Sequence, residues 1–162
     1  MSQTAYIALG ANLGDRLATL NRAIARIAAI PGVAIAARSA VIETQPIGGP
    51  PDQPPYLNAA IAVATSLSPR ELLDRLAAIE TEFGRQRTTH WGPRTIDLDL
   101  LMVDSQIINS PDLIIPHPRL HLRRFVLQPL AEIAPNVLHP LLNKTIQTLL
   151  KELESIDRKS VV

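Results

Sequence analysis

Residues 56–84 read YLNAAIAVATSLSPRELLDRLAAIETEFG, and this stretch predicts a strand followed closely by a helix. Residues 56–65 are largely apolar, which is typical of a buried strand. Residues 68–71 (SPRE) have the form of a capping box with proline at the first helical position. Apolar residues then recur at helical spacing as far as Phe83, and Gly84 is placed to end the helix in a left-handed conformation.

A similar unit precedes this one in the chain. Residues 4–9 form a short apolar run that predicts the first strand. Leucines and isoleucines spaced three and four apart predict an amphipathic helix over residues 15–30, which Pro31-Gly32 ends. Residues 33–44 are rich in valine, isoleucine and alanine, and we expect one continuous second strand there.

Two long loops separate the remaining elements. Residues 45–55 carry five prolines and two glycines, and residues 85–95 are polar. Residues 96–103 predict a fourth strand. Short edge strands are expected at residues 106–108 and 113–115, a third helix from Val126 to a break at Pro135, and a fourth over residues 145–153. The βαββαβ order of the first hundred residues favours an α+β sandwich, a mixed sheet with helices packed on it.

The composition excludes several classes of protein. A chain of 162 residues, 46% hydrophobic and 19% charged, fits one globular domain spanning residues 1–162. The absence of cysteine excludes thiol nucleophiles and thiolate zinc sites, and it suits a reducing cytoplasm. A formal net charge of +1 argues against nucleic-acid and polybasic membrane binding. The first residues lack the pattern of a signal peptide, and no apolar run approaches 18 residues, so we expect a soluble cytoplasmic protein.

Two biases in composition point toward a site. Arginine outnumbers lysine 13 to 3, and six arginines fall between Gly84 and Phe125. Arginine makes forked contacts with phosphate or carboxylate, although a solvated surface rich in arginine explains the count equally well. Aromatic residues are few: Tyr6, Tyr56, Phe83, Trp91 and Phe125. The core must therefore be aliphatic, and a ring among polar motif residues is a candidate for binding.

Asp97 and Asp99 are the candidate metal ligands. Side chains alternate along a strand, so both carboxylates point to one face, with Cβ atoms about 6–7 Å apart. Two such carboxylates repel unless cations neutralise them, and oxygen-only ligands suit Mg²⁺. The pattern alone is weak, because a solvated pair of acids matched by arginines has the same spacing.

The residues around the two aspartates favour phosphoryl transfer. Arginines and histidines flank them on both sides, and acids that hold cations beside arginines that hold phosphates are typical of that chemistry. The chain has no G-x-x-x-x-G-K-[ST] motif, and residues 10–14 (GANLG) have too little glycine for a dinucleotide loop. A nucleotide site here is therefore neither a P-loop nor a Rossmann site. Asn58, Tyr56 and Thr44 offer polar and stacking groups for a flat heterocycle, though such residues more often serve in turns and packing.

Four segments together resemble one enzyme family. Residues 6–14 (YIALGANLG), 52–60 (DQPPYLNAA), 80–87 (ETEFGRQR) and 91–99 (WGPRTIDLD) are similar, in order, to the 6-hydroxymethyl-7,8-dihydropterin pyrophosphokinases of folate biosynthesis. The spacing to Pro116-His117 and to residues 123–125 (RRF) also matches. The resemblance extends from about residue 5 to residue 140, and W-G-P-R-T-x-D-x-D is its most specific part.

The resemblance implies a fold and a reaction. The family has a ferredoxin-like α-β-α sandwich and transfers the β,γ-pyrophosphoryl group of ATP to the hydroxymethyl oxygen of the pterin, releasing AMP. By position, Asp97 and Asp99 would hold two Mg²⁺ ions. The residues that would contact the phosphates or line the ATP side of the site are Glu80, Arg85, Arg87, Trp91, Arg94, His117 and Arg123. Of these, Arg85 and Arg94 would also be catalytic. The pterin would be bound by Thr44, Pro46, Ile47, Tyr56, Asn58 and Phe125, and Asn12 lies at a further site position.

One departure from the family is visible at residues 112 and 114. Some relatives carry a basic and a hydroxyl residue there, whereas this chain has Asp112 and Ile114, so the contacts on the adenine side must differ. Two other classes remain as alternatives: a non-catalytic ligand-binding module on the same sheet, and an RNA-binding sheet. The second requires aromatics on central strands and a basic face, whereas the strands of this chain carry few aromatics and its net charge is near neutral. We expect small-molecule substrates, no nucleic-acid or membrane partner, and a monomer or weak homodimer.

Overall fold

A central sheet is built from five strands in the order β2-β4-β1-β5, with β3 also pairing with β4. The computed structural model describes residues 2–12, 14–45, 55–84 and 96–160. Every pairing within the described part of this sheet is antiparallel. The strands are β1 (Gln3–Ala11), β2 (Val33–Arg38), β3 (Ile42–Thr44), β4 (Tyr56–Thr65) and β5 (Asp97–Val103).

Two helices cover each face of the sheet. Helices α1 (Arg16–Ala28) and α2 (Pro69–Glu82) pack with Ile7 and Leu9 of β1 in one aliphatic core. Helices α3 (Arg124–Ile133) and α4 (Ile146–Ser160) share a second core with Ala60 and Ala62 of β4. The element order and the α-β-α layering confirm the α+β fold expected from the sequence.

The N-terminal capping pattern predicted from the sequence is present in α2. The Ser68 hydroxyl accepts a hydrogen bond from the Glu71 N–H at 3.1 Å, and the Glu71 carboxylate accepts one from the Ser68 N–H at 3.1 Å. This reciprocal capping box fixes the first turn of the helix, including Arg70. Gly84 follows the helix with φ of 76°, the left-handed conformation predicted for it.

The prediction of one continuous strand over residues 33–44 is wrong. Between Arg38 and Ile42 the backbone leaves the regular β-ladder. There the side chain of Ser39, instead of a backbone carbonyl, accepts a hydrogen bond from β4. The Ala60 N–H donates to the Ser39 hydroxyl at 2.9 Å, while the Ser39 N–H donates to the Ala60 carbonyl at 2.9 Å. The residues from 39 to 41 therefore oppose fewer residues of β4, which shifts the register and produces the separate strand β3.

The predicted edge strands form a hairpin instead of extending the sheet. Strand β6 (Ile108–Ser110) pairs with β7 (Leu113–Ile115) through a two-residue turn, Pro111-Asp112. The expected strand over residues 106–108 is displaced because the chain turns after β5, where the Gln106 N–H donates to the Val103 carbonyl. A second small hairpin, β8 (Leu138–His139) and β9 (Lys144–Thr145), was not predicted, and α4 is longer than expected.

Candidate active site

Asp97 and Asp99 lie at the start of β5, the edge strand next to β1. Asp97 is in register with Gly10 and Asp99 with Ala8. Leu98 and Leu100 are buried in the α1–α2 core, whereas the two aspartates are only partly buried. Because side chains alternate along a strand, both carboxylates project to the α3–α4 side of the sheet, as the sequence predicts.

The outer edge of β5 is held by groups from two other elements. The Leu98 N–H, between the two aspartates, donates to the Glu80 carboxylate of α2 at 2.9 Å. Further along, the Leu101 carbonyl accepts from the His117 N–H at 2.8 Å. An edge strand otherwise presents unpaired backbone groups, so these contacts stabilise the segment that carries the carboxylates.

His117 is available as a hydrogen-bond donor through Nε2. Its Nδ1 accepts from the Arg119 N–H at 3.2 Å, so a neutral ring carries its proton on Nε2. Burial lowers the pKa of His117, Asp99 opposes that effect, and Arg123 and Arg119 reinforce it. Asp99, His117 and Arg123 therefore influence one another electrostatically, which brings three sequence-predicted site residues into one neighbourhood.

Arg123 and Phe125 stand at the start of α3. The Arg123 guanidinium carbon lies 5.7 Å from the centre of the Phe125 ring, within range of a cation–π contact. Phe125 is partly exposed and packs against the α3–α4 core. One of its faces can therefore meet a ligand while the rest of the ring is supported.

Asn58, Thr44, Tyr56 and Gly10 meet on the three neighbouring strands β3, β4 and β1. The Asn58 amide nitrogen donates to the Thr44 hydroxyl at 2.5 Å, and Asn58 is buried. A Cβ placed on Gly10 would lie 3.0 Å from the Asn58 Oδ1 and 3.6 Å from the Tyr56 Cδ1. The missing side chain at Gly10 therefore makes room for the amide and the tyrosine ring.

A row of paired residues connects the amide to the carboxylates. Asn58 is in register with Gly10, and Gly10 is in register with Asp97. Two strand spacings separate Asn58 from Asp97, or about 10 Å. A flat ring lying over Gly10 would have the amide at one edge and the carboxylates near the other.

A cavity of about 280 Å³ opens beside Asp99 and His117. Helix α2 supplies Leu73 to its wall, and the β6–β7 hairpin supplies Leu113 and Ile114. Its remaining lining residues are Leu98, Leu100, Pro111, Asp112 and Pro118. An open cavity with apolar residues beside Asp99, Asp112 and His117 offers both packing surface and polar groups to an organic ligand.

Several predicted site residues lie outside the described part of the chain. These are Pro46, Ile47, Arg85, Arg87, Trp91 and Arg94. Asn12 is described and is fully buried at the end of β1. Sequence reasoning missed Gly10 as a site residue, and it missed Leu73 and Leu113 as cavity residues. A glycine inside an apolar strand run was the one available signal for the first, because such a glycine often marks close approach of another group.

The donor set at β5 fits a hard cation. Asp97 and Asp99 supply carboxylate oxygens, which Mg²⁺ prefers, and Mg²⁺ commonly takes one or two carboxylates together with phosphate oxygens. Within the described ranges no three histidine, aspartate or glutamate side chains group as a complete metal site. That finding is compatible with a cation that shares its ligands with a substrate.

In the described part of the chain, no helix has the length and apolar character needed to span a membrane.

Comparisons with known proteins identify relatives of this chain. Residues 6–135 match the family model described as 7,8-dihydro-6-hydroxymethylpterin-pyrophosphokinase (HPPK). The chain is 47% identical over 137 residues to the 2-amino-4-hydroxy-6-hydroxymethyldihydropteridine pyrophosphokinase of Bacillus subtilis, covering 85% of this chain and 81% of that one. It is 43% identical over 150 residues to the enzyme of the same name from Synechocystis, covering 93% and 76%.

Solved structures show the same fold. A crystal structure of HPPK-DHPS in complex with substrates superposes with a TM-score of 0.78 at 15% identity, covering 100% of this chain. Plasmodium falciparum HPPK-DHPS with pterin and p-hydroxybenzoate gives 0.78 over 99% of this chain. The chain spans 45% and 44% of the length of those two proteins, respectively.

Proposed function

The chain belongs to the 7,8-dihydro-6-hydroxymethylpterin-pyrophosphokinase family, and on that premise we propose that it is an ATP-dependent diphosphotransferase of folate biosynthesis. It transfers the β,γ-pyrophosphoryl group of ATP to the hydroxymethyl oxygen of 6-hydroxymethyl-7,8-dihydropterin. The new bond joins that oxygen to the β-phosphorus, the bond from the β-phosphorus to the α-β bridging oxygen breaks, and AMP leaves. The alcohol proton is released in the same process.

One observation carries this proposal: Asn58, Gly10 and Asp97 form a row across adjacent strands. Asn58 presents a donor and an acceptor to one edge of a pterin lying over Gly10. The hydroxymethyl group at the opposite edge then lies near Asp97 and Asp99. Binding the alcohol beside the groups that hold the triphosphate brings the reacting atoms together, which is one of the two main contributions of a protein to such a transfer, with electrostatic stabilisation.

Asp97 and Asp99 are the proposed ligands for two Mg²⁺ ions, and their oxygen donors fit that role. Mg²⁺ held by these carboxylates would supply neutralisation of the phosphate charge of ATP. The carboxylates repel each other on one face of β5, and cations relieve that repulsion. Glu80 keeps this part of the strand in place through the Leu98 N–H.

His117 and Arg123 are the proposed phosphate donors among the described residues. The neutral His117 ring offers Nε2–H, and a phosphate that accepts this bond also favours the protonated ring. Arg123 is the N-cap residue of α3, where its guanidinium can make forked contacts with phosphate oxygens. The same role is proposed for Arg85, Arg87 and Arg94, with Arg85 and Arg94 stabilising charge during transfer. Glu80 and Trp91 are proposed to contact ATP.

Pterin binding is proposed for the amide site and the two rings nearby. The Thr44 hydroxyl fixes the rotamer of Asn58, and Tyr56 and Phe125 supply stacking faces. Pro46 and Ile47 are proposed as further pterin contacts. The cavity lined by Leu73, Leu113 and Ile114 is proposed to take the nucleotide base, because it lies next to Asp99 and His117.

The enzyme is proposed to act as a single domain over residues 1–162, as a monomer or weak homodimer in the cytoplasm. The absence of cysteine supports a reducing compartment. A net charge of +1 supports small-molecule substrates over nucleic acid.

The proposed function is tested by following both products of the reaction. The protein is incubated with Mg²⁺, ATP and the pterin alcohol, and ³¹P NMR should show AMP together with a diphosphate ester of the alcohol. The matched control is 6-methyl-7,8-dihydropterin, which lacks the accepting hydroxyl and should give no AMP. Formation of ADP, or AMP release at the same rate with the control pterin, would contradict the proposal.

A further inference from the structure

An ion pair crosses the rim of the cavity beside Asp99. Arg70 lies in the first turn of α2, and Asp112 lies in the turn between β6 and β7. The Arg70 Nη1 donates to the Asp112 Oδ2 at 3.0 Å, and Nη2 donates to Oδ1 at 2.6 Å. This two-point fork fixes the relative orientation of the two groups as well as their distance.

The pair joins two of the elements that line the cavity, α2 and the β6–β7 hairpin. Arg70 and Leu73 are three residues apart on α2, so they lie on one side of the helix. On the hairpin, Asp112 is next to Leu113, and both line the cavity together with Ile114. The separation of α2 from the hairpin tip is therefore also the separation of the cavity walls.

Strand β7 and the turn that precedes it are held differently. Leu113 and Ile115 are 6% and 1% exposed and belong to the α1–α2 core. At the tip, the side chain of Asp112 is 71% exposed and that of Arg70 is 43% exposed. Packing fixes β7 from its first residue, and the ion pair acts on the exposed turn that precedes it.

We propose that the Arg70–Asp112 ion pair is a positioning device for the nucleotide: by holding the hairpin tip against α2 it sets the width of the slot that receives the base. The inference rests on the proposed function, because ATP is the ligand assigned to this cavity. Asp112 stands where some relatives have a basic residue. In this chain the acidic side chain serves through its contact with Arg70 and not through contact with ATP.

The positioning role and a simple charge effect predict opposite signs for one variant. If charge alone mattered, Asp112→Asn would remove a negative group near the triphosphate and strengthen ATP binding, whereas Arg70→Gln would weaken it. If the ion pair fixes the width of the cavity, both substitutions remove the same contact and both weaken ATP binding. The double variant then loses no more affinity for ATP than either single variant, because the first substitution has already removed the contact.

The experiment is a double-mutant cycle on nucleotide binding. Calorimetry with Mg²⁺ and α,β-methylene-ATP, which cannot be cleaved at the reacting bond, gives Kd without turnover. Arg70→Gln, Asp112→Asn and the double variant should each raise Kd by about two- to five-fold, the range expected for an exposed ion pair. The KM for ATP should rise in parallel, while kcat and the KM for the pterin stay within about two-fold.

The matched control is a second forked ion pair, which joins α2 to α1. Arg26 of α1 and Glu82 of α2 contact each other through Nε–Oε2 at 2.7 Å and Nη2–Oε1 at 2.6 Å, at similar exposure. Neither residue lines the cavity. Arg26→Gln and Glu82→Gln should leave the Kd for the analogue unchanged.

The outcomes separate the inference from the proposed function. Any of three results would overturn the positioning role. The two single variants could change Kd in opposite directions, the double variant could show additive losses of affinity, or the Arg26→Gln and Glu82→Gln variants could lose as much affinity. A parent protein that binds the analogue, with variants that bind it equally well, overturns the inference alone. A parent protein that binds no nucleotide overturns the proposed function and the inference together.

Discussion

The Glu80 carboxylate accepts a hydrogen bond from the Leu98 N–H at 2.9 Å, which ties α2 to the edge strand between its two aspartates. Asp97 and Asp99 are the immediate neighbours of Leu98. A shift of this backbone would therefore move both carboxylates at once. Glu80 thus has a positioning role that its placement on the ATP side did not suggest.

Replacing Glu80 by alanine should raise the Mg²⁺ concentration needed for half-maximal AMP formation and lower kcat. The loss of this partly buried hydrogen bond should also cost about 1–2 kcal/mol of unfolding free energy. Glu80→Gln keeps an acceptor oxygen and should retain most of the activity and most of the free energy of unfolding. The control is Glu82→Ala on the same helix, and a Mg²⁺ requirement raised equally by both alanine variants would contradict the positioning role.

Thr44→Val should weaken pterin binding. The valine has nearly the same shape but cannot accept the hydrogen bond from the Asn58 amide, so the amide is free to leave the orientation that matches the pterin edge. The KM for the pterin should rise by about five-fold or more, equivalent to a lost hydrogen bond of about 1 kcal/mol, with the KM for ATP unchanged. Glu43→Gln, at the neighbouring exposed position of β3, is the control. An unchanged pterin KM in Thr44→Val would show that this contact does not orient the amide.

Phe125→Leu and Phe83→Leu form a matched pair, since each ring lies near an arginine. The guanidinium carbon of Arg123 is 5.7 Å from the Phe125 ring centre, and that of Arg22 is 4.9 Å from the Phe83 ring centre. Loss of a stacking ring should weaken pterin binding by about 1 kcal/mol, so a higher pterin KM is expected for Phe125→Leu alone. Phe83→Leu should change only the thermal unfolding temperature. Equal pterin affinity in both variants would make Phe125 a packing residue.

Stability should fall as the pH drops below about 6.5. Burial lowers the pKa of His139, and His121 lowers it further. Its Nδ1 accepts from the Leu141 and Leu142 N–H groups, at 3.2 and 3.1 Å. Between the lowered pKa and the ordinary value near 6.5, the unfolded chain binds a proton that the folded chain does not, so the free energy of unfolding rises with pH across that window.

Urea unfolding at a series of pH values from 7.5 downward measures this dependence. His139→Asn keeps an acceptor for the two backbone groups and should flatten the slope, with a residual slope from His117, whose pKa is also lowered. His121→Asn removes only the smaller contribution and should retain most of it. A slope identical in the parent and in His139→Asn would exclude His139 as its source.

Local patterns were enough to predict part of the fold and site. The one-face arrangement of Asp97 and Asp99 follows from alternation within a single strand, and the capping box at Ser68 follows from four adjacent residues. The family resemblance added the fold and the candidate residues. These features depend on neighbours in sequence or on a motif already known.

The rest depends on contacts between distant parts of the chain. The row of Asn58, Gly10 and Asp97 requires the register of three strands. Arg70 meets Asp112 across 42 positions. The break at Ser39 depends on Ala60, because a serine hydroxyl ends a strand only where a partner N–H is within reach. Such pairings are fixed by packing of the whole domain, and a sequence window does not contain them.

The most direct test of the account is single-turnover AMP formation, with ATP, pterin alcohol and Mg²⁺, in the parent protein and in three variants of β5 and its end. Asp97→Ala and Asp99→Ala should fold normally by circular dichroism and form no AMP, and excess EDTA should abolish AMP formation by the parent. Asp104→Asn is the control, because Asp104 lies in the turn at the opposite end of the strand, where its carboxylate accepts from the Thr4 N–H, and it should retain full activity. Substantial pterin-dependent AMP formation by either alanine variant, or by the parent in EDTA, would contradict the central claim that the paired carboxylates of β5 carry the reaction.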